Sequence, residues 1–288
     1  MAFLEQVFEP AMGQASMTLE LELQTLWAAL VLYVLAGVLA IFGVALQRKP
    51  ERAVLTLLLL GLALHTISIA MRWNRLGHGP YITMYEILLS NVWSLLVIYV
   101  LVYWRISAIR AAAAVVMPIL FVMMGWLLMT SPYEGHLPAT YHTVWLFVHI
   151  GFGKLFLGNV LVAVGISGII LLRGSRYGSE YLVHLPDDSR LDELSFRFMA
   201  MGLVFETLML IVGAIWAQDA WGRYWAWDPL ETWSFLTWLC LAFALHARVA
   251  YKASPQVGAL MVLAVFALAF LTFFGVPFIS TSPHKGAV

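Results

Sequence analysis

The sequence predicts an all-α fold: a polytopic membrane protein of about eight transmembrane helices with both termini non-cytoplasmic. Three observations carry that expectation. Of 288 residues, 62% are hydrophobic and only 11% charged, with a mean hydropathy of +0.87, whereas a soluble domain carries roughly a quarter charged residues. Apolar runs long enough to cross about 30 Å of hydrocarbon recur along the whole chain. The basic residues sort onto alternate connections, as the positive-inside rule requires.

Taken in order, residues 1–26 hold Glu5, Glu9, Glu20 and Glu22 but no Lys or Arg. That is the reverse of a secretory n-region, and the stretch reads as an exported tail in front of the first span. Spans are expected at about 27–46, 53–72, 87–104, 111–129, 143–172, 198–217, 233–249 and 257–279. The connections at 47–52, 105–110, 173–197 and 250–256, with Arg248 at a helix end, hold 11 Lys and Arg. The other loops and tails hold 4 (Arg72, Arg75, Arg223 and Lys285), and Lys154 lies inside the fifth span. The first set is therefore assigned to the cytoplasm. One integral membrane domain over 1–288 is expected, in the lipid bilayer, with no fixed-period repeat. A net charge of zero and the lack of a basic tail argue against nucleic acid as a partner. Cys240 is the single cysteine, so neither an internal disulfide nor a CxxC thiol relay can form within the chain.

Chemistry concentrates in the loops assigned to the outside, 73–86, 130–142 and 218–232. Six of the twelve Trp lie between Trp216 and Trp238. Anchoring a helix end in the lipid interface takes one or two indoles, so a cluster at about 216–233 exceeds that need and suits a large planar ligand. Trp221, Gly222, Trp225, Trp227, Asp228, Glu231 and Trp233 belong to this loop. Asp228 followed by Pro229 also reads as the N-cap and first position of a helix. His149, about two turns into the fifth span, and His284, past the end of the eighth, reach the same level. Two imidazoles flanking an aromatic platform is what axial ligation of a haem iron requires. A catalytic zinc with three protein ligands is the rival reading, and it leaves the indoles unexplained. His246, near the cytoplasmic end of the seventh span, and His65, in the middle of the second, each read equally well as hydrogen-bonded polar residues. His142 stands at the outer end of the fifth span. In the 73–86 loop, His78 and Glu86 flank a Gly-Pro turn, and Arg75 suits a carboxylate partner such as a propionate. Arg72 reads as a snorkelling side chain.

The string Trp221-Gly222-x-x-Trp225-x-Trp227-Asp228-Pro229-x-Glu231-Thr232 resembles the tryptophan-rich WWD signature of haem-handling proteins. Its Asp-Pro-x-Glu form is similar to the CcsA/ResC type, the integral membrane component of System II cytochrome c synthases. Gly77-His78-Gly79-Pro80 leading to Tyr85-Glu86, Val148-His149-Ile150, Leu245-His246-Ala247-Arg248 and the His284 tail follow that family's order and spacing. The resemblance covers the chain from about residue 60 onward. It implies a bacterial inner-membrane subunit of a holocytochrome c synthase (haem lyase) that binds haem b. His246 would ligate haem within the membrane, opposite a ligand from a CcsB/ResB-like partner. His149 and His284 would hold it at the outer face against the WWD loop, with His142 as a substitute for His284. Thioether bonds would form there with the CxxCH motif of apocytochrome c, kept reduced by a thioredoxin-like protein. A haem translocator of the CcmC type is the nearest alternative, although eight spans and the Asp-Pro-x-Glu form count against it. A di-haem cytochrome b-like anchor would need histidine pairs on facing helices. A solute transporter would need paired broken helices at the midplane, which the sequence lacks.

Overall fold

The computed structural model describes residues 2–175, 178–182 and 185–279, with side chains between residues 17 and 277. Among the described residues there are no strands, and eight helices are long and apolar enough to cross a membrane. They are α1 (Ala2–Ala45), α2 (Glu51–Leu76), α3 (Met84–Arg105) and α4 (Ala113–Met129, entered through a 3-10 turn at Ser107–Ala112). The remainder are α5 (Val144–Arg173), α6 (Asp188–Trp221), α7 (Pro229–Tyr251) and α8 (Pro255–Phe270). α8 continues through a π turn, Leu271–Gly275, into a last helical turn, Val276–Ile279. In hydrocarbon every backbone polar group must be satisfied within the segment, which is why the apolar runs are helices.

Local sequence sets the helix ends. Thr83 and Glu86 form a reciprocal capping box at the start of α3, and Asp228 and Glu231 form another at α7, with Pro229 in the first turn. Thr143, Asp187 and Ser254 accept backbone N–H groups at the starts of α5, α6 and α8. α2 and α6 stop at Gly77 and Gly222, whose φ angles of 74° and 71° are left-handed and cheap only for glycine.

α5 is the central post: 78% of its most apolar window is buried, against 22–61% for the other seven. It packs mainly along α6 and also touches α3, α4 and α8. Close approach relies on small residues. A Cβ at Gly158 would lie 2.3 Å from Ile98, so α3 and α5 touch almost backbone to side chain there. Several polar side chains in the spans pair across helices: Lys154 donates to Ser90, Ser167 meets Ser195, and Thr237 meets Thr272.

The expected tail differs from what is observed. Residues 2–26 continue the first helix, and Glu22 is fully buried in an ion cluster rather than exposed. Arg72 does not snorkel. Its guanidinium, 1% exposed, donates to Glu86 at 2.9 Å, to Glu22 at 3.1 Å and to the Tyr133 carbonyl at 2.9 Å, and it lies over the Tyr85 ring. Arg75 takes the second Glu22 oxygen at 2.7 Å and also pairs with Glu134. The cluster therefore ties α1, α2, α3 and the 130–143 loop at one point. Opposite charge is what makes burial tolerable here, because an unpaired ion in this position would be expelled or neutralised.

Arg72→Met should consequently lower stability by about 3–5 kcal/mol, since it leaves Glu86 buried without its cation and Glu22 with Arg75 alone. Arg197, exposed and paired only with Glu193 one turn away, serves as the control, with a change within about 0.5 kcal/mol on substitution by alanine. Denaturant titration in detergent micelles measures both, and equal losses would refute a desolvated cluster.

Candidate functional site

The connections fall at two ends of the bundle. One end carries residues 77–83, 130–143 and 222–228; the other carries the Arg- and Lys-bearing turns. At the first end a cavity opens between α5, α6, the start of α7 and the π turn of α8, with about 810 Å³ of empty space including its mouth. His149, Met209, Trp216, Trp225, Glu231 and Phe273 are among its walls.

His149 is positioned from α6. Its Nδ1 lies 2.9 Å from the Met209 carbonyl oxygen, which can only accept, so Nδ1 carries a proton and donates it there. The imidazole also stacks on Trp216, with centroids 5.8 Å apart and planes 30° from parallel. Both contacts need Gly213, because a Cβ there would sit 2.7 Å from His149 Nδ1. Trp216 is 4% exposed, packs against Trp221 at 5.0 Å and edge-on to Tyr141 at 5.5 Å, and donates to the Thr140 carbonyl. Burial pushes the Tyr141 hydroxyl up to about 12, so that wall is uncharged at neutral pH. Ile82, Tyr141, Leu146 and Trp216 form a small apolar cluster of their own. It fastens the outer loops to the ends of α5 and α6.

The tryptophan loop is held by one carboxylate. Glu231 Oε2 accepts from the Ala226 N–H at 2.7 Å and the Asp228 N–H at 3.3 Å, while Asp228 caps α7. Trp227 adopts φ 59°, a left-handed conformation unusual for a bulky residue, and its ring is 66% exposed. That turn sets Trp225 inward, edge-on to Trp227 at 5.6 Å, with its indole N–H buried and lacking an acceptor among the described residues. The π turn supplies the opposite wall. Pro277 has no N–H to offer the Phe273 carbonyl, and the ladder widens just ahead of it. One turn along α6 beyond Met209, Glu206 is fully buried, and its carboxyl oxygens have no hydrogen-bond partner among the described residues.

The structure thus brings His149, Trp225 and Glu231 to one cavity. Trp221 and Trp227 touch its walls, while Gly222 and Asp228 shape its loop. The Trp233 carbonyl serves Thr237 and Thr272 instead. Glu86 and Arg75 belong to the ion cluster, so the propionate role considered for Arg75 goes to Glu22 and Glu134. The His78 ring turns onto the Gly79 carbonyl, and His142 is exposed outside the cavity walls. His65 is fully buried beside the Tyr33 hydroxyl at 3.4 Å, between α1 and α2. His246 is on the exposed face of α7, and His284 lies outside the described residues. Gly213, Met209, Thr272 and Phe273 were not anticipated. No signal in the sequence points to them, because what joins them to His149 is packing between spans.

Fold and site define a multi-pass helical membrane protein with an aromatic cavity at one end of its bundle, in which His149 is the one histidine among the described lining residues. The profile of the family described as "Cytochrome C assembly protein" matches residues 81–284. The chain belongs to that family, whose role is in cytochrome c maturation. It is 29% identical to the cytochrome c biogenesis protein CcsA of Prochlorococcus marinus strain MIT 9312, over 89% of this chain and 92% of that one. It is 30% identical to the CcsA of strain CCMP1986, covering 81% and 82%. The CcsA of Chlamydomonas reinhardtii is 27% identical, covering 76% and 64%. Among solved structures, "Cytochrome c Heme Lyase CcmF" shares the fold at a TM-score of 0.70 and 18% identity, over 89% of this chain. The match spans 46% of that protein's length.

Gly213→Ala should push the His149 imidazole off the Met209 carbonyl and raise its modification by diethylpyrocarbonate. Gly202→Ala, whose new Cβ would have no neighbour closer than 3.5 Å, should leave the reactivity unchanged. Mass spectrometry of the modified peptide reads both, and equal reactivity in the two variants would refute the packing constraint.

Proposed function

We propose that this protein is the membrane subunit of a cytochrome c synthase that holds haem b, as substrate, in the aromatic cavity. The observation that carries the reading is a histidine whose protonated Nδ1 is tied to a backbone carbonyl, among indoles, in a chain of this family. A bond from the other ring nitrogen to carbonyl or carboxylate is the usual arrangement behind a metal-ligating histidine, since it fixes the ring and raises ligand basicity. The buried Trp225 N–H suits an acceptor on the ligand's edge, because a desolvated donor costs about 1–3 kcal/mol when unmet.

The chain's contribution is then orientation. His149 Nε2 takes one axial position, and His284 is the candidate for the other. Trp216 and Trp225 wall the macrocycle, so that a vinyl edge faces the mouth beside the exposed Trp227. Each cysteine thiol of a CxxCH segment adds across one vinyl group: a C–S bond forms, the thiol hydrogen ends on the vinyl carbon, and no net electron leaves. Positioning of this kind supplies several kcal/mol without a general base. The aromatic end faces the periplasm of a bacterial inner membrane, with both termini outside. A CcsB/ResB-like partner would supply the ligand opposite His246, and a thioredoxin-like protein keeps the apocytochrome thiols reduced. The exposure of His246 on the side of α7 favours a partner-assembled site over a di-haem cytochrome b arrangement, which needs facing pairs inside the bundle. A CcmC-type translocator would share the cavity but perform no thioether chemistry.

The purified protein should carry b-type haem by pyridine haemochrome assay, with a six-coordinate absorption spectrum. His149→Ala should lose that haem or render it five-coordinate, and added imidazole should restore the six-coordinate bands. Haem retained unchanged in His149→Ala would overturn this site.

A further inference from the structure

A second, larger cavity lies at the opposite end of the bundle. It is enclosed by the end of α1, the start of α2, the 3-10 turn before α4 and the segment leading into α6, and holds about 1150 Å³ of empty space. Its charge is one-sided. Among the described residues, Arg48, Lys49, Arg110 and Arg190 line it, against one carboxylate, that of Glu51. Glu51 is already engaged, accepting from Arg110 at 2.5 Å. Four cations less one anion leave three positive charges. Among the described residues, Arg48, Lys49 and Arg190 make no ion pair, as is also true of Arg52, Arg105, Arg223 and Lys252, which lie outside the cavity walls. Behind the cations the wall turns apolar, with Val54 and Leu182 buried.

Like charges gathered around a concave site repel one another, and an anion placed among them relieves that repulsion. A cationic mouth over an apolar floor, where the helices leave hydrocarbon, matches an anionic amphiphile. We propose that this cavity binds the phosphate headgroup of an anionic membrane lipid, with Arg48, Lys49 and Arg190 meeting the phosphate and the apolar wall taking the first carbons of its chains. A free phosphate would share the cationic contacts but leave the apolar wall unused. The inference does not depend on the haem reading, since no residue of the aromatic cavity takes part.

Native mass spectrometry of the full chain in neutral detergent tests it, with phosphatidylglycerol, phosphatidylcholine or inorganic phosphate added as the probe. Wild type is expected to retain one phosphatidylglycerol in preference to phosphatidylcholine. The triple variant Arg48→Gln/Lys49→Gln/Arg190→Gln should weaken that binding on the order of a hundredfold, as the loss of three basic side chains near a lipid surface implies. Arg52→Gln/Arg105→Gln, basic residues at the same end but outside the cavity walls, should bind as wild type does. The three lining cations are on the surface, so the triple variant should keep the wild-type melting temperature in lipid-free detergent. Equal retention in the triple variant and the control would overturn the site. Displacement of the lipid by millimolar inorganic phosphate would overturn the lipid assignment in favour of a free anion.

Discussion

A guanidinium cannot be left alone in a protein interior bounded by hydrocarbon, and the position of Arg72 sets much of the remaining architecture. Its charge is balanced by Glu22 from α1 and Glu86 from α3, and its remaining donor is met by a loop carbonyl. Arg75 completes the neutralisation of Glu22. These bonds fix where α1 and α2 lie against α3 and where the 130–143 loop returns. Glu86 serves twice, because its second oxygen accepts the Ile82 and Thr83 N–H groups and so also starts α3. Ile82 in turn packs in the cluster with Trp216. A short chain of contacts therefore links the ion cluster to the wall of the aromatic cavity.

The cavity itself shows how a site can be built from rigid parts near flexible-looking sequence. Its histidine stands on α5, the most buried helix, and takes its orientation from α6 through a backbone oxygen rather than a side chain. Its tryptophan loop has the composition of a mobile surface turn, yet Glu231 clamps two of its N–H groups and Asp228 begins a helix immediately behind it. The left-handed Trp227 is tolerated because both flanks are fixed.

Much of this was legible in the sequence. The eight spans emerged from length and hydropathy alone, and their expected ends mostly fall within several residues of the observed helices, because apolar composition over twenty residues is a strong signal. The Trp-rich string and His149 pointed to one site because their depths could be counted from the helix ends. What composition cannot report is pairing at long range. Glu22 looked like part of a solvated acidic tail, since its partners Arg72 and Arg75 lie 50 and 53 residues away. Arg72 looked like a lipid-facing anchor for the same reason. Nothing in the sequence marks Gly213 among the small residues of an apolar helix, and its role is visible only with His149 against it. The histidines at 65, 78 and 142 carried the same chemical label as His149, and only packing separates them.

The π turn in α8 has a consequence of a different kind. Thr272 and Pro277, five residues apart, both line the aromatic cavity. On a regular helix, at about 100° per residue, they would point some 140° apart. The wider turn, closed by i→i+5 rather than i→i+4 bonds, winds less per residue and brings the two closer in azimuth. Removing any one residue from Leu271–Gly275 would scarcely alter the length, composition or hydropathy of the span. It would nevertheless rotate everything that follows by about a quarter turn and take one wall out of register. Helical phase, which no residue count along a span records, decides what the end of this chain can face.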